Sequence, residues 1–140
     1  MRLHASCAAL GGDAVLLTGP PGSGKSDLLL RLLDRGFDLV ADDQVEIERG
    51  VVRAPDPLAG HVEMRGVGLF LLPRAVSARL RLVVRLGRTA VRLPEPACAE
   101  GLDVPEITLD PAAASAALRV HWSLDAVCGR RRQACGAFAA

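Results

Sequence analysis

Eight consecutive residues, Gly19-Pro20-Pro21-Gly22-Ser23-Gly24-Lys25-Ser26, spell G-x-x-x-x-G-K-[ST], the spacing with which a backbone loop cradles phosphate. Glycines at 19, 22 and 24 let the chain take positive φ angles and bring several N–H groups onto one centre with no Cβ in the way. Lys25 supplies a point charge for the β and γ phosphates. Ser26, in the first turn of the helix that must follow, can offer its hydroxyl to Mg²⁺ while the helix dipole adds positive potential. The chemistry implied is the binding of a nucleoside triphosphate with magnesium.

Three further sets of residues could act on such a ligand. Asp42 and Asp43 are adjacent carboxylates; one could accept the proton of an attacking hydroxyl while the other orients magnesium or a water. Neighbouring strand residues point to opposite faces, so the two need not share a role unless the chain turns between them. Glu63 and Arg65, followed by Gly66-Val67-Gly68, could present a metal ligand and a phosphate-binding cation from one strand end, with glycines that suggest close backbone approach; an exposed ion pair fits the same spacing. His4 stands alone on a possible edge segment, and neither His61 nor His121 has a metal-ligand neighbour at suitable spacing, so zinc is not expected.

The elements that must position these groups are legible from local pattern. Ala14–Thr18 reads as a strand running into the loop and Lys25–Arg35 as a helix, with Gly36 as its stop. Asp38–Ala41 reads as the second strand of a βαβ unit, whose right-handed crossover would put both strand ends at one edge of the sheet, where ligands sit in open α/β sheets. Val45–Glu48 and Val51–Arg53 flank Arg49-Gly50 as a short hairpin. A Pro-rich stretch, Ala54-Pro55-Asp56-Pro57, leads into 61–69; Leu80–Leu86 is a later core strand, and Pro94–Pro105 reads as loop. The last element is a helix from Pro111 to Cys128 with Asp110 as its N-cap, Pro111 at its first position and an imperfect stripe over Ala112, Ala116, Leu118, Val120, Leu124 and Val127.

Composition bounds the rest. A chain of 140 residues, half of them hydrophobic, fits one compact domain spanning 1–140, with a loose tail from about 130. Its 17 basic residues balance 16 acidic ones, so no nucleic acid or anionic membrane is implied as partner, and Arg130-Arg131-Arg132 reads as a solvated helix end. With three Phe, one Trp and no Tyr there is no platform for stacking single-stranded bases. No signal peptide or membrane span is read. The four cysteines lack C-x-x-C spacing and, beside a nucleotide loop, point to reduced thiols in the cytoplasm.

GTPase and transporter-ATPase signatures are absent, and the 80–86 strand ends in Gly87 rather than an acid, so the acid partner of the loop must be Asp42-Asp43. Together, His4, the loop Gly19–Ser26 with Asp27, Leu39-Val40-Ala41-Asp42-Asp43 and Val62-Glu63-Met64-Arg65-Gly66-Val67-Gly68-Leu69 resemble the catalytic domain of the HPr kinase/phosphorylase family, which carries L-V-A-D-D and E-x-R-G-x-G in this order. The match spans roughly residues 4 to 70. The resemblance implies a P-loop α/β kinase domain, a mixed sheet with flanking helices similar also to phosphoenolpyruvate carboxykinase. It implies a serine protein kinase using ATP and Mg²⁺ on the phosphocarrier HPr, with phosphorolysis as the reverse reaction and hexameric assembly. Carried over, Asp42 is the base toward the substrate serine, Lys25 and the loop amides hold phosphates, and Ser26 and Glu63 address the metal. His4 and Asp43 complete the site, and Arg65, Gly66 and Gly68 belong to the signature segment. Asp27 stands where most of the family has Glu. The family's P-x-x-P-G-R segment is replaced by Pro105-Glu106-Ile107-Thr108-Leu109-Asp110-Pro111, without Gly or Arg, which points to weak or absent phosphorylase activity. No separate N-terminal domain is seen. A nucleotide-sensing module without phosphotransfer, or a kinase acting on a small molecule, remains open on the same residues.

Overall fold

The computed structural model describes residues 1–55, 59–73 and 76–139; Asp56 and Pro57 of the Pro-rich stretch lie outside them, as does Ala140. The chain order is β1 (Arg2–Leu3), β2 (Ser6–Leu10), β3 (Asp13–Thr18), α1 (Lys25–Asp34), β4 (Asp38–Ala41), β5 (Val45–Glu48), β6 (Val51–Arg53), β7 (His61–Met64), β8 (Gly68–Leu71), β9 (Ala78–Leu86), β10 (Glu106–Leu109) and α2 (Ala116–Val127). Eight strands form one mixed sheet in the order β1-β5-β6-β9-β3-β2-β4, with β10 alongside β9; β7 and β8 form a separate two-stranded sheet. No described helix is long and apolar enough to cross a membrane.

The predicted βαβ unit exists with a strand inserted in it. β2 pairs antiparallel with β3 on one side and with β4 on the other, so β3 and β4 run parallel and end at the same edge without touching. The possible edge segment that carries His4 thus leads straight into a central strand, β2, whose Ser6, Cys7, Ala8 and Ala9 are fully buried. The signal was present: Gly11 and Gly12 take φ of +59° and +86° between partners Leu10 and Asp13, the two-residue connection that a right-twisted hairpin favours. Arg49-Gly50 closes the β5–β6 hairpin the same way.

Helix α1 ends as read. The N–H of Gly36 donates to Leu33 O and that of Phe37 to Leu32 O, each at 3.1 Å, and Gly36 adopts φ +103°, the left-handed cap that glycine allows. Helix α2 begins later than expected, at Ala116 rather than Pro111. Asp110 caps a tight turn instead, its Oδ1 accepting from Ala112 N at 2.9 Å, and Ala113 N returns to Asp110 O at 3.2 Å; an aspartate that satisfies a local turn competes with the first helical bonds. Strand β10 was not read from the sequence. It pairs parallel with β9 over Val83–Leu86 and is too short and too mixed in polarity to show an alternation of its own.

One face of the sheet carries the helices: Val15, Leu17, Leu82 and Val84 pack with Leu28, Leu29 and Leu32 of α1 and with Ala116, Val120 and Leu124 of α2. The other face packs Ala14, Leu16, Leu80 and Val83 with Val45, Ile47 and Val52 and with Ala99 of the long 87–105 connection. Pairing between β3 and β9 skips Arg81, and that bulge switches Leu80 and Leu82 to opposite faces. Among the described residues, no helix or strand follows Val127. The end of the chain is nevertheless tied: Arg130 donates to Asp125 Oδ1 at 2.9 Å and to Asp13 Oδ2 at 2.8 Å, Arg131 lies 3.9 Å over the Trp122 ring, and Phe138 packs on the helix-side core. The tract read as a solvated helix end is therefore part of an ion-pair network.

Candidate functional site

The central strand β3 brings the chain to the sheet edge at Thr18, and α1 leaves it at Lys25, so residues 19–24 arch across that edge. Ser23 N donates to Pro20 O at 3.1 Å and Leu28 N to Gly24 O at 3.0 Å; the latter is the first turn of α1, begun from Gly24 at φ 100°, ψ 15° with no side-chain cap. Lys25 Nζ donates to Gly19 O at 2.7 Å and to Pro20 O at 3.1 Å. An ammonium has three donors, so the fold that pins Lys25 over the loop leaves one for an anion. Ser23 Oγ is buried with no hydrogen-bond partner among the described residues, and a buried hydroxyl left unpaired costs free energy that a phosphate oxygen would recover.

Asp42 follows β4 and meets the loop. Its Oδ1 accepts from Ser26 Oγ at 2.9 Å and from Ser6 Oγ at 3.0 Å. The chain turns at the next residue: Asp43 has φ +74°, Gln44 N donates to Asp42 O at 2.9 Å, and Ala5 N to Asp43 O at 3.2 Å. That turn separates the two carboxylates. Asp42 joins the serines, whereas Asp43 Oδ1 lies 3.4 Å from His4 Nδ1, with both side chains about three-quarters exposed.

Glu63 and Arg65 are not brought into this group. Glu63 is exposed on β7 opposite Leu69, and among the described residues neither it nor Arg65 forms an ion pair, so the exposed Glu63–Arg65 pair is not formed either. Gly66 and Gly68 serve the β7–β8 turn, where Val67 N donates to Met64 O at 2.9 Å; a Cβ at either glycine would meet nothing within 4 Å, so no described residue makes the expected close backbone approach there. Asp27 pairs with Arg31 at 3.1 Å, one helical turn on. Arg31 also donates to Pro111 O at 2.5 Å, holding the turn after β10 against α1, and a Cβ on Gly24 would lie 3.3 Å from Pro111 Cγ. Two neighbours of the loop thus escaped the sequence reading, Ser6 and Pro111, because both arrive through strand pairing rather than local order.

A hydroxyl and a carboxylate oxygen side by side suit a hard divalent cation that takes its remaining ligands from phosphates and water, and no group of three or more His, Cys, Asp or Glu that could hold a metal occurs among the described residues. A groove of about 500 Å³ lies elsewhere: Val91, Leu93, Leu118, Trp122 and Phe138 are among its walls, and none of residues 19–27 or 42–43 is. All four cysteines are free, and burial pushes the Cys7 thiol far above its ordinary value.

Fold and site define an α/β protein with a glycine-rich loop set between a central strand and a core helix, flanked by carboxylates that follow β4, the parallel strand one place beyond β2. Residues 1–86 match the HPr Serine kinase C-terminal domain, and the chain belongs to that family. It is 36% identical over 134 residues to the HPr kinase/phosphorylase of Azoarcus sp. (strain BH72), covering 81% of this chain and 43% of that protein. It is 41% identical over 76 residues to the HPr kinase/phosphorylase of Clostridium novyi (strain NT), covering 51% and 25%. The chain therefore spans less than half the length of these curated relatives. Its fold is similar to the solved Hpr(Ser) kinase/phosphatase from Coxiella burnetii, with a TM-score of 0.69 at 24% identity, over 86% of this chain and 90% of that one.

Proposed function

We propose that this chain is an ATP- and Mg²⁺-dependent serine protein kinase acting on the phosphocarrier HPr in the cytoplasm. The observation that carries the reading is Asp42, fixed through Oδ1 by Ser26 at 2.9 Å at the mouth of the Gly19–Ser26 loop, with no hydrogen bond to Oδ2 among the described residues. The loop N–H groups and Lys25 hold the phosphates. Ser26 Oγ donates its hydrogen bond to Asp42 Oδ1, so its oxygen lone pairs stay available for the cation. Magnesium, when bound, neutralises charge on the transferring phosphoryl group. Asp42 Oδ2 takes the proton of the incoming serine hydroxyl as the serine oxygen bonds to the γ phosphorus and the bond to the ADP oxygen breaks. Asp43 and His4 stand beside that point on an exposed rim, placed to meet a protein substrate. Glu63, Arg65, Gly66 and Gly68 lie on the neighbouring hairpin, outside this set.

Two finer readings accompany it. The 105–111 stretch, which here forms β10 and a turn, has no arginine to bind phosphate or pyrophosphate, so phosphorolysis of phosphoserine-HPr is weak or lost. Val67, Leu69, Phe70 and Leu71 are all exposed on the β7–β8 hairpin, an apolar surface that suits assembly into a homo-oligomer, hexameric in line with the family.

The test is incubation of the purified chain with Mg-ATP and HPr, followed by intact-mass detection of phosphate on a serine. A mass gain lost in Lys25→Ala and Asp42→Asn supports the kinase. ATP binding with no phosphorylated HPr would replace it with a nucleotide-sensing module or a kinase for a small molecule.

A further inference from the structure

We infer that Ser6 is a positioning residue for Asp42, a role that rests on the proposed phosphotransfer for its kinetic consequence but not for its structural one. Ser6 sits in β2, fully buried, on a strand whose other inward residues are Cys7, Ala8 and Ala9. A hydroxyl in such a place costs stability unless it is paired, and its one hydrogen bond among the described residues goes to Asp42 Oδ1 at 3.0 Å. Topology makes this possible. β2 lies between β3, which carries the loop, and β4, which carries Asp42, and the antiparallel register that pairs Cys7 with Ala41 brings Ser6 alongside Asp42.

The carboxylate accepts and cannot donate while ionised, so both hydroxyls donate to the same oxygen. Two charge-assisted bonds onto Oδ1 fix the plane of the carboxylate and leave Oδ2 as the oxygen available to a substrate. The two donors differ in one respect. Ser26 stands exposed in the first turn of α1 and is also a candidate ligand, whereas Ser6 is fully buried and has no second function open to it. Ser6 is therefore the anchor that keeps Asp42 in place when the loop fills or empties.

The experiment compares Ser6→Thr with Ser6→Val, two side chains of the same shape that share any strain from the added methyl groups and differ in the hydroxyl. Expected is a Thr variant close to wild type and a Val variant with kcat about 10- to 100-fold lower and KM for ATP within about twofold. Equal kcat in the two, or a loss confined to KM, overturns the role. Where Val fails to fold, Ser6→Ala is read against Thr by the same criterion.

A second readout needs no activity. In a thermal-denaturation cycle of Ser6→Ala, Asp42→Ala and the double variant, the double loss should fall short of the sum by roughly 3 °C or more, because either single change removes the same bond. Additive losses overturn the Ser6–Asp42 pairing. If wild type transfers no phosphate to HPr while the cycle stays non-additive, the proposed function fails and the pairing stands.

Discussion

Gly24 is the residue on which the loop, the helix and the C-terminal half of the chain converge, and Gly24→Ala should show it. The glycine holds φ 100° and ψ 15° as the N-cap of α1, a backbone state that costs an L side chain about 1–2 kcal/mol. A Cβ there would also lie 3.3 Å from Pro111 Cγ and 3.4 Å from Pro111 Cβ, and Pro111 is clamped by Arg31, so it yields only at the expense of that clamp. Gly22 supplies the internal control: φ +80° with nothing within 4 Å of its Cβ, hence the backbone cost alone. With an unfolding entropy of about 2.1 cal/mol/K per residue over 140 residues, each kcal/mol is worth about 3.4 °C. Gly22→Ala should therefore lower Tm by about 3–7 °C and Gly24→Ala by visibly more, in differential scanning calorimetry without nucleotide. Adding Pro111→Ala to Gly24→Ala, which removes Cγ but keeps Cβ, should recover part of the excess. Equal losses in the two single variants would refute the packing of Pro111 on the loop, and two neutral variants would refute the left-handed conformations themselves.

Asp42→Asn keeps an acceptor for both serines and removes the base, so ATP affinity should hold within about twofold while phosphotransfer falls by about 10²- to 10⁴-fold; wild-type turnover would show that another group takes the proton. Asp13 carries a pH dependence. Partial burial pushes its pKa up, but hydrogen bonds from Arg130 and Arg81 outweigh that and hold the carboxyl below its ordinary value. Its contribution to stability is accordingly complete above the unfolded value, about 3.9, and is lost as pH falls through the lower folded value. Urea denaturation between about pH 6 and pH 3 should show wild type losing more stability than Asp13→Asn, and parallel curves would contradict the network. Leu29→Ala, at a fully buried position under α1, should cost about 2–5 kcal/mol, and Leu30→Ala, only partly buried, distinctly less; equal costs in chemical denaturation would mean that α1 presents a different face to the sheet.

Local sequence determined the parts whose physics is local. A loop with glycines at the positions of positive φ, a strand before it, a helix ended by Gly36 and a hairpin turned at Arg49-Gly50 each follow from backbone preferences within a few residues, and the structure has all of them. The candidate loop residues 19–26 and the carboxylates at 42 and 43 were legible for the same reason. Tertiary structure alone decided what crosses between distant segments. Pairing of β2 between β3 and β4 gave Asp42 its buried partner Ser6, and the turn at Asp43 sent the second carboxylate to His4. β10 laid Pro111 against the loop, and the β7–β8 hairpin left Glu63 on the surface. None of these could be read from spacing, because strand order and register are set by how the two faces of the whole sheet are covered, a property that no short window of sequence contains.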